Sequence, residues 1–352
     1  MTIAKPIIFD GHNDVLSKIF NEGGVAKAAS FLNGREGAID LKKAKVGGFG
    51  GGFFAVYVPS KFDLEFSYKE MEKASYSLPL PEPIEWSEAV AVVASQVTIL
   101  RELERLGGLK ICYSVSDIRS AFENRKIAAI FHIEGAEAID PDFHMLEVLH
   151  AAGLRSIGPV WSRPTIFGEG VPFCFPSTPD IGSGLTELGI ALVKRCNELK
   201  IMIDLSHLNE AGFWDVARHS NAPLVATHSN AHSITQHSRN LTDEQLRAIV
   251  DSDGMVGLNF ATAFLREDGK MLADVPLIQV LKHLDYLLEI LGEDRVGLGS
   301  DYDGAIMPEE LNDLSNLPNL ILAMKSHGYD EILIKKLCRE NWLRVLQKTW
   351  GC

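Results

Sequence analysis

The stretch "PIIFDGHNDVL", Pro6 to Leu16, runs the β-forming residues Ile7, Ile8 and Phe9 directly into a polar cluster of Asp10, Gly11, His12, Asn13 and Asp14. A short apolar run bounded by turn-forming residues reads as a buried strand. Residues two apart in extended backbone share a face, so His12 and Asp14 offer an imidazole and a carboxylate side by side at its end. The pattern recurs. With "PIIFDGHND" stand "GGFFAVYVP", "IAAIFHIEG", "LRSIGPVW", "IMIDLSH", "PLVATHSN", "GMVGLNF" and "RVGLGSDYDG", eight runs in all. Helix-like stretches separate most of them: Ser87 to Leu106, Asp142 to Ala152, Thr186 to Leu199, Glu210 to Ser220, Thr242 to Asp251 and Pro276 to Leu291. Thr242 and Gln245 have the spacing of a capping box. Strands alternating with helices pair in parallel through right-handed crossovers, and eight units close a (β/α)8 TIM-type barrel. No linker or low-complexity segment breaks the rhythm, so residues 1–352 read as one α/β domain.

Composition narrows the function. A formal net charge of -13 over 352 residues lacks the basic footprint that nucleic acid or an anionic membrane requires. No window approaches the ~20 apolar residues of a membrane span. The chain enters its first strand within about six residues, without the n-region and h-region of a secretory signal, so a cytoplasmic protein is expected. Five widely spaced cysteines, Cys112, Cys174, Cys196, Cys338 and Cys352, form no CxxC pair and suit a reducing compartment. The two least regular segments, Lys61 to Pro83 and Trp161 to Gly184, each follow a strand, where barrel enzymes carry substrate-shaping loops.

Polar side chains gather where strands finish. His12 and Asp14 follow the first strand, Glu134 the third, His207 the fifth, His228 the sixth, and Asp301 with Asp303 the eighth. In a barrel those ends meet at one mouth. Each residue alone suits a hydrogen-bonded turn, but together they would repel or desolvate one another without a cation. The nitrogen and oxygen donors suit zinc or a similar divalent ion. His132 faces the same way as Glu134. His144, His150, His219, His283 and His327 read as surface residues, while His232 and His237 occupy the segment between His228 and Arg239.

The motifs "FDGHND", "IEGAEAI", "IDLSHLNEAGFWDV", "ATHSNAH" with "HSRNLTDEQLRAI", "GLGSDYDG" and "ENWLRV" span the chain in order. In this set the sequence resembles the membrane dipeptidase (renal dipeptidase) family of zinc peptidases, within the amidohydrolase superfamily. The resemblance implies two zinc ions, one held by His12, Asp14 and Glu134, the other by a bridging Glu134 with His207 and His228. It implies that Asp301 is the catalytic carboxylate and that Arg239 holds the substrate's terminal carboxylate. Two metals about 3.5–4 Å apart can deprotonate one water while polarising a carbonyl. The substrate implied is a dipeptide, including those with a D-configured C-terminal residue. The oligomeric state is open, a homodimer among the options.

One position departs from the mammalian pattern. Where those relatives carry a histidine beyond the fourth strand, this chain reads "IGPVWSRPTIFGEGVPF" and places Trp161. An indole donates one hydrogen bond but carries no proton to a leaving group. Oxyanion help then falls to the metals, to Trp161 or to Arg163, which reads equally well as a surface salt-bridge partner. The departure leaves an alternative, a metal-dependent amidase or lactonase acting on acylated amino acids. A non-catalytic metal- or ligand-binding barrel is a third reading, opposed by the full set of reactive groups.

Overall fold

All eight apolar runs fold as strands: β1 (Ile8–Asn13), β2 (Phe49–Tyr57), β3 (Ile127–Glu134), β4 (Leu154–Gly158), β5 (Met202–Ile203), β6 (Val225–Ala226), β7 (Met255–Leu258) and β8 (Val296–Leu298). The computed structural model describes residues 6–60 and 64–351. The N-terminal residues 1–5 read above for a secretory signal, residues 61–63 of the first irregular segment, and Cys352 lie outside the described residues. The strands pair in parallel in the order β5-β4-β3-β2-β1-β8-β7-β6. A parallel bridge from Asp204 to Val225, with the Leu205 amide donating to the Val225 carbonyl at 2.9 Å, joins β5 to β6 and closes the barrel.

Side-chain alternation sorts the interior into layers. On β3, Ala129, Phe131 and Ile133 join the outer core beneath the helices, whereas Ile130, His132 and Glu134 follow one another up the lumen. Phe9, Phe53, Ile130, Met202, Val225 and Met255 fill its lower part around Trp342 of the C-terminal helix Asn341–Trp350. The Trp342 indole donates to the Leu298 carbonyl at 3.0 Å. Gly11 makes room for it, since a Cβ there would stand 2.5 Å from the ring and 2.3 Å from the Thr227 carbonyl oxygen. The floor is therefore apolar and filled, and ionisable groups cluster above it.

The six helices read from the sequence are present as Trp86–Arg105, His144–Ala152, Glu187–Leu199, Glu210–His219, Asp243–Asp251 and Leu277–Leu291. Thr242 and Gln245 form the capping box, at 3.3 and 2.9 Å. Three features differ from the reading. A strand at Leu109–Ile111, only three residues long, pairs with the start of β3. The two irregular segments are joined above the mouth, where Tyr76–Ser77 pairs antiparallel with Cys174–Phe175. His283 is buried rather than exposed, accepting from the Ala231 amide at 3.3 Å and lying 3.0 Å from the Leu265 carbonyl. Its helix turns that face inward, and burial pushes its pKa down to about 4. Cys112, Cys174, Cys196 and Cys338 are buried free thiols, and no helix among the described residues is long and apolar enough to cross a membrane.

Candidate metal centre

β1 delivers His12 to the mouth, and Asp14 follows as the N-cap residue of helix Val15–Asn21. Glu134 ends β3, and His207 and His228 lie in the turns after β5 and β6. The Glu134 carboxylate receives all three imidazoles on one oxygen. Oε1 lies 2.9 Å from Nε2 of His207, 3.4 Å from Nε2 of His228 and 3.6 Å from Nε2 of His12. Nε2 of His12 is also 3.4 Å from Asp14, and the donor atoms of His12, Asp14 and Asp301 all lie within 4.8 Å of one another. So do those of Glu134, His207 and His228. All are buried except Asp301, which is part-exposed.

This donor set fits a divalent cation. Nε2 of His12 is buried and makes no hydrogen bond, facing the Asp14 and Glu134 carboxylates at 3.4 and 3.6 Å, as it would across a shared cation. Burial, and then the positive charge of Arg239 or His12, holds His207 and His228 well below the ordinary imidazole range, in the neutral form that ligates metal. Burial pushes the carboxyls of Glu134 and Asp301 up. Burial opposes charge on His12 too, but Glu134 and Asp14 outweigh it and lift its pKa to about 10. A metal-free cluster thus keeps a proton where a cation would replace it.

Asp301 stands in the left-handed region at φ 64, a conformation that costs a non-glycine residue about 1–3 kcal/mol and that clusters at functional sites. Its amide donates to the His12 carbonyl at 3.0 Å, and the Asn259 side chain donates to its Oδ2 at 2.9 Å. Asp303 lies at the cavity's edge and pins the segment before helix Leu41–Gly47, accepting from Arg35 at 3.0 Å and from the Ala38 amide at 2.7 Å. Arg239 is buried beside His207, 3.3 Å from its Nε2, with a guanidinium nitrogen donating to the Ser206 carbonyl.

Above the centre opens a cavity of about 280 Å³. Asp14, Glu134, His207 and Asp301 face it, walled by Tyr57, Trp161, Phe173 and Phe264. Trp161 packs 5.1 Å from the Tyr57 ring and 5.7 Å from that of His207. Arg163 does not reach the cavity. It is fully buried behind Trp161, paired with Glu137 at 2.6 Å and bonded to Ser60 and the Val58 carbonyl. His237 is buried against Phe264, and His232 bonds the Ser177 carbonyl at 2.8 Å.

The sequence reading missed Asn259 and Asp204. Both are polar residues at strand ends, in "GLNF" and "IDLSH", and the rule that singled out Glu134 would have found them.

A model of the membrane dipeptidase family, peptidase family M19, matches residues 2–350. The chain belongs to that family. It is 49% identical over 265 residues, 75% of its length, to 98% of a Klebsiella pneumoniae protein described by its place in the pqqA 5' region. It is 39% identical over 285 residues, 80% of its length, to 89% of an Acinetobacter calcoaceticus protein from the PQQ-III 3' region. It is also similar to a metallopeptidase from Rhodobacter sphaeroides, solved with a phosphinate mimic of the dipeptide L-Ala-D-Ala: 51% identity, TM-score 0.96, 98% of this chain and 100% of that one. The protein is a metal-dependent dipeptidase with a β/α barrel fold.

Proposed function

We propose that this dipeptidase is a dinuclear zinc enzyme whose single barrel domain places both ions at the mouth. His12, Asp14 and Glu134 hold one ion; Glu134, His207 and His228 hold the other. The reading rests above all on Glu134 Oε1, which meets three Nε2 atoms within 3.6 Å. Bound there, two divalent ions supply an acidified water and a polarised carbonyl. The rest falls to the chain. Asn259 occupies Oδ2 of Asp301, so Oδ1 takes the proton of the attacking water and passes it to the leaving amine. Arg239 receives the substrate's terminal carboxylate, which limits the enzyme to short peptides. Trp161, Tyr57 and Phe173 exclude water from the reacting bond, and the indole and phenyl rings of Trp161 and Phe173 can move no proton themselves. The bound L-Ala-D-Ala mimic of the similar Rhodobacter enzyme supports substrates with a D-configured C-terminal residue.

A panel of L,L and L,D dipeptides and N-acyl amino acids, offered to zinc-loaded protein, tests the reading. Dipeptides are cleaved, L,D forms included; cleavage of acyl amino acids alone refutes it. Asp301→Asn keeps the side chain's shape and loses its basicity, so kcat falls by ~10²–10⁴-fold with KM little changed. Glu134→Ala loses more bound metal by elemental analysis than His12→Ala, because it removes a ligand from both ions.

A further inference from the structure

An imidazole offers a bare nitrogen to a metal only when its other nitrogen carries the proton, and the partner of that second nitrogen decides the matter. The three histidines of the centre differ in this partner. Nδ1 of His12 has none. Nδ1 of His207 meets the Ser162 hydroxyl at 2.9 Å. Nδ1 of His228 meets the Thr227 hydroxyl at 2.7 Å, and that hydroxyl lies 2.6 Å from Oδ2 of Asp204. All three members of this chain are buried.

The direction of the chain follows from its end. Oδ1 of Asp204 already accepts from the Thr227 amide at 2.9 Å, the Ser206 amide at 3.1 Å and the Ser206 hydroxyl at 2.6 Å, which fixes the carboxylate as an acceptor. The single hydroxyl proton of Thr227 therefore goes to Oδ2. Its lone pair is left to accept a proton from Nδ1 of His228, and Nε2, 3.4 Å from Oε1 of Glu134 and 3.1 Å from Nε2 of His207, is left bare. We propose that Asp204 and Thr227 are a positioning pair that locks His228 in its ligating tautomer, making the ion held by His207 and His228 the more tightly bound of the two. This rests on the ligand assignment proposed above. His132 lies with Nε2 3.6 Å from the same Asp204 oxygen but directs Nδ1 to Ser156, so it does not take the place of Thr227.

The test is zinc affinity, measured for each ion by competition with a chelator, with the absorption of the cobalt-substituted protein reporting which site fills. Thr227→Val keeps the shape and removes the hydroxyl. It weakens one ion by roughly 10–100-fold, the range for lost support behind a metal ligand, and leaves the other unchanged. Thr227→Ser restores the parent affinity. Asp204→Asn keeps the Oδ1 bonds but turns a donor toward Thr227; the hydroxyl proton then points at His228, Nε2 takes the ring proton, and the loss exceeds that of Thr227→Val. Should Thr227→Val fail to fold, Asp204→Asn against Thr227→Ser makes the same comparison. Parent affinity for both ions in Thr227→Val or Asp204→Asn, while His228→Ala loses one ion, overturns the positioning pair alone. Two ions retained in His228→Ala removes the ligand assignment, and the positioning pair falls with it.

Discussion

Two arginines lie buried in the wall of the mouth, and they are held in opposite ways. Arg163 meets a carboxylate: Nε and Nη2 both reach Oε1 of Glu137, at 3.0 and 2.6 Å, while Nη1 donates to Ser60 and Nη2 also to the Val58 carbonyl. Arg239, buried as deeply, makes no ion pair among the described residues. Its donors reach the Ser206 and His228 carbonyls and the His207 ring, its Nε has no partner, and the Phe264 ring lies 5.3 Å from its charge. Burial pulls its pKa down to about 10, which leaves it charged at neutral pH. A buried charge already paired with a carboxylate belongs to the scaffold; one without a counterion is sustained at a cost and suits a ligand that brings the counterion. The contrast places Arg163 in the wall behind Trp161 and is what the proposed role of Arg239, as the partner of a substrate carboxylate, requires.

The largest effect should come from splitting the scaffold pair. Arg163→Ala leaves the Glu137 carboxylate buried without its cation, and urea unfolding should show a loss of about 3–5 kcal/mol. Adding Glu137→Gln removes that carboxylate's charge and recovers most of the loss. If Arg163→Ala alone is as stable as the parent, the two arginines are not different in kind.

Arg239 should show the reverse, little change in stability and a large change in use of substrate. Each charge-assisted bond is worth about 1.5–3 kcal/mol, so Arg239→Lys, which surrenders one bond of the fork, lowers kcat/KM for dipeptides roughly 10- to 150-fold. C-terminally amidated dipeptides are poor substrates of the parent and lose little more in the variant. Equal kinetics for free and amidated dipeptides in the parent enzyme would contradict the carboxylate role.

The smallest effect concerns the ring beside Arg239. Phe264→Leu keeps the apolar contact and loses the π-face, worth about 0.5–1 kcal/mol, so KM for dipeptides rises roughly 2- to 5-fold. An unchanged KM would mean that the ring only packs.

Much of this was legible in the chain because it is locally encoded. The alternation of apolar runs with helical periods gave eight strands and six helices, since each β/α unit carries its own hydrophobic period. His12, Glu134, His207 and His228 could be found because barrel topology sends every strand end to one mouth. The burial of Arg163 could not. Its partner Glu137 stands 26 residues away in a turn, and nothing local in "WSRP" separates a buried ion pair from an exposed one. His283 escaped for the same reason, and so did the pairing of Tyr76–Ser77 with Cys174–Phe175, which joins segments about a hundred residues apart.

The Trp342 indole has a consequence for the order of events during synthesis. It fills the lower lumen, yet it follows all eight strands in the chain, beyond β8 at Val296–Leu298. While the ribosome is still adding residues 299–341, the strands already made surround a space that glycines at 11 and 257 have left open for a ring not yet translated. The barrel cannot complete its packing until the closing helix is made, and until then the apolar residues around that space lack the ring that fills it.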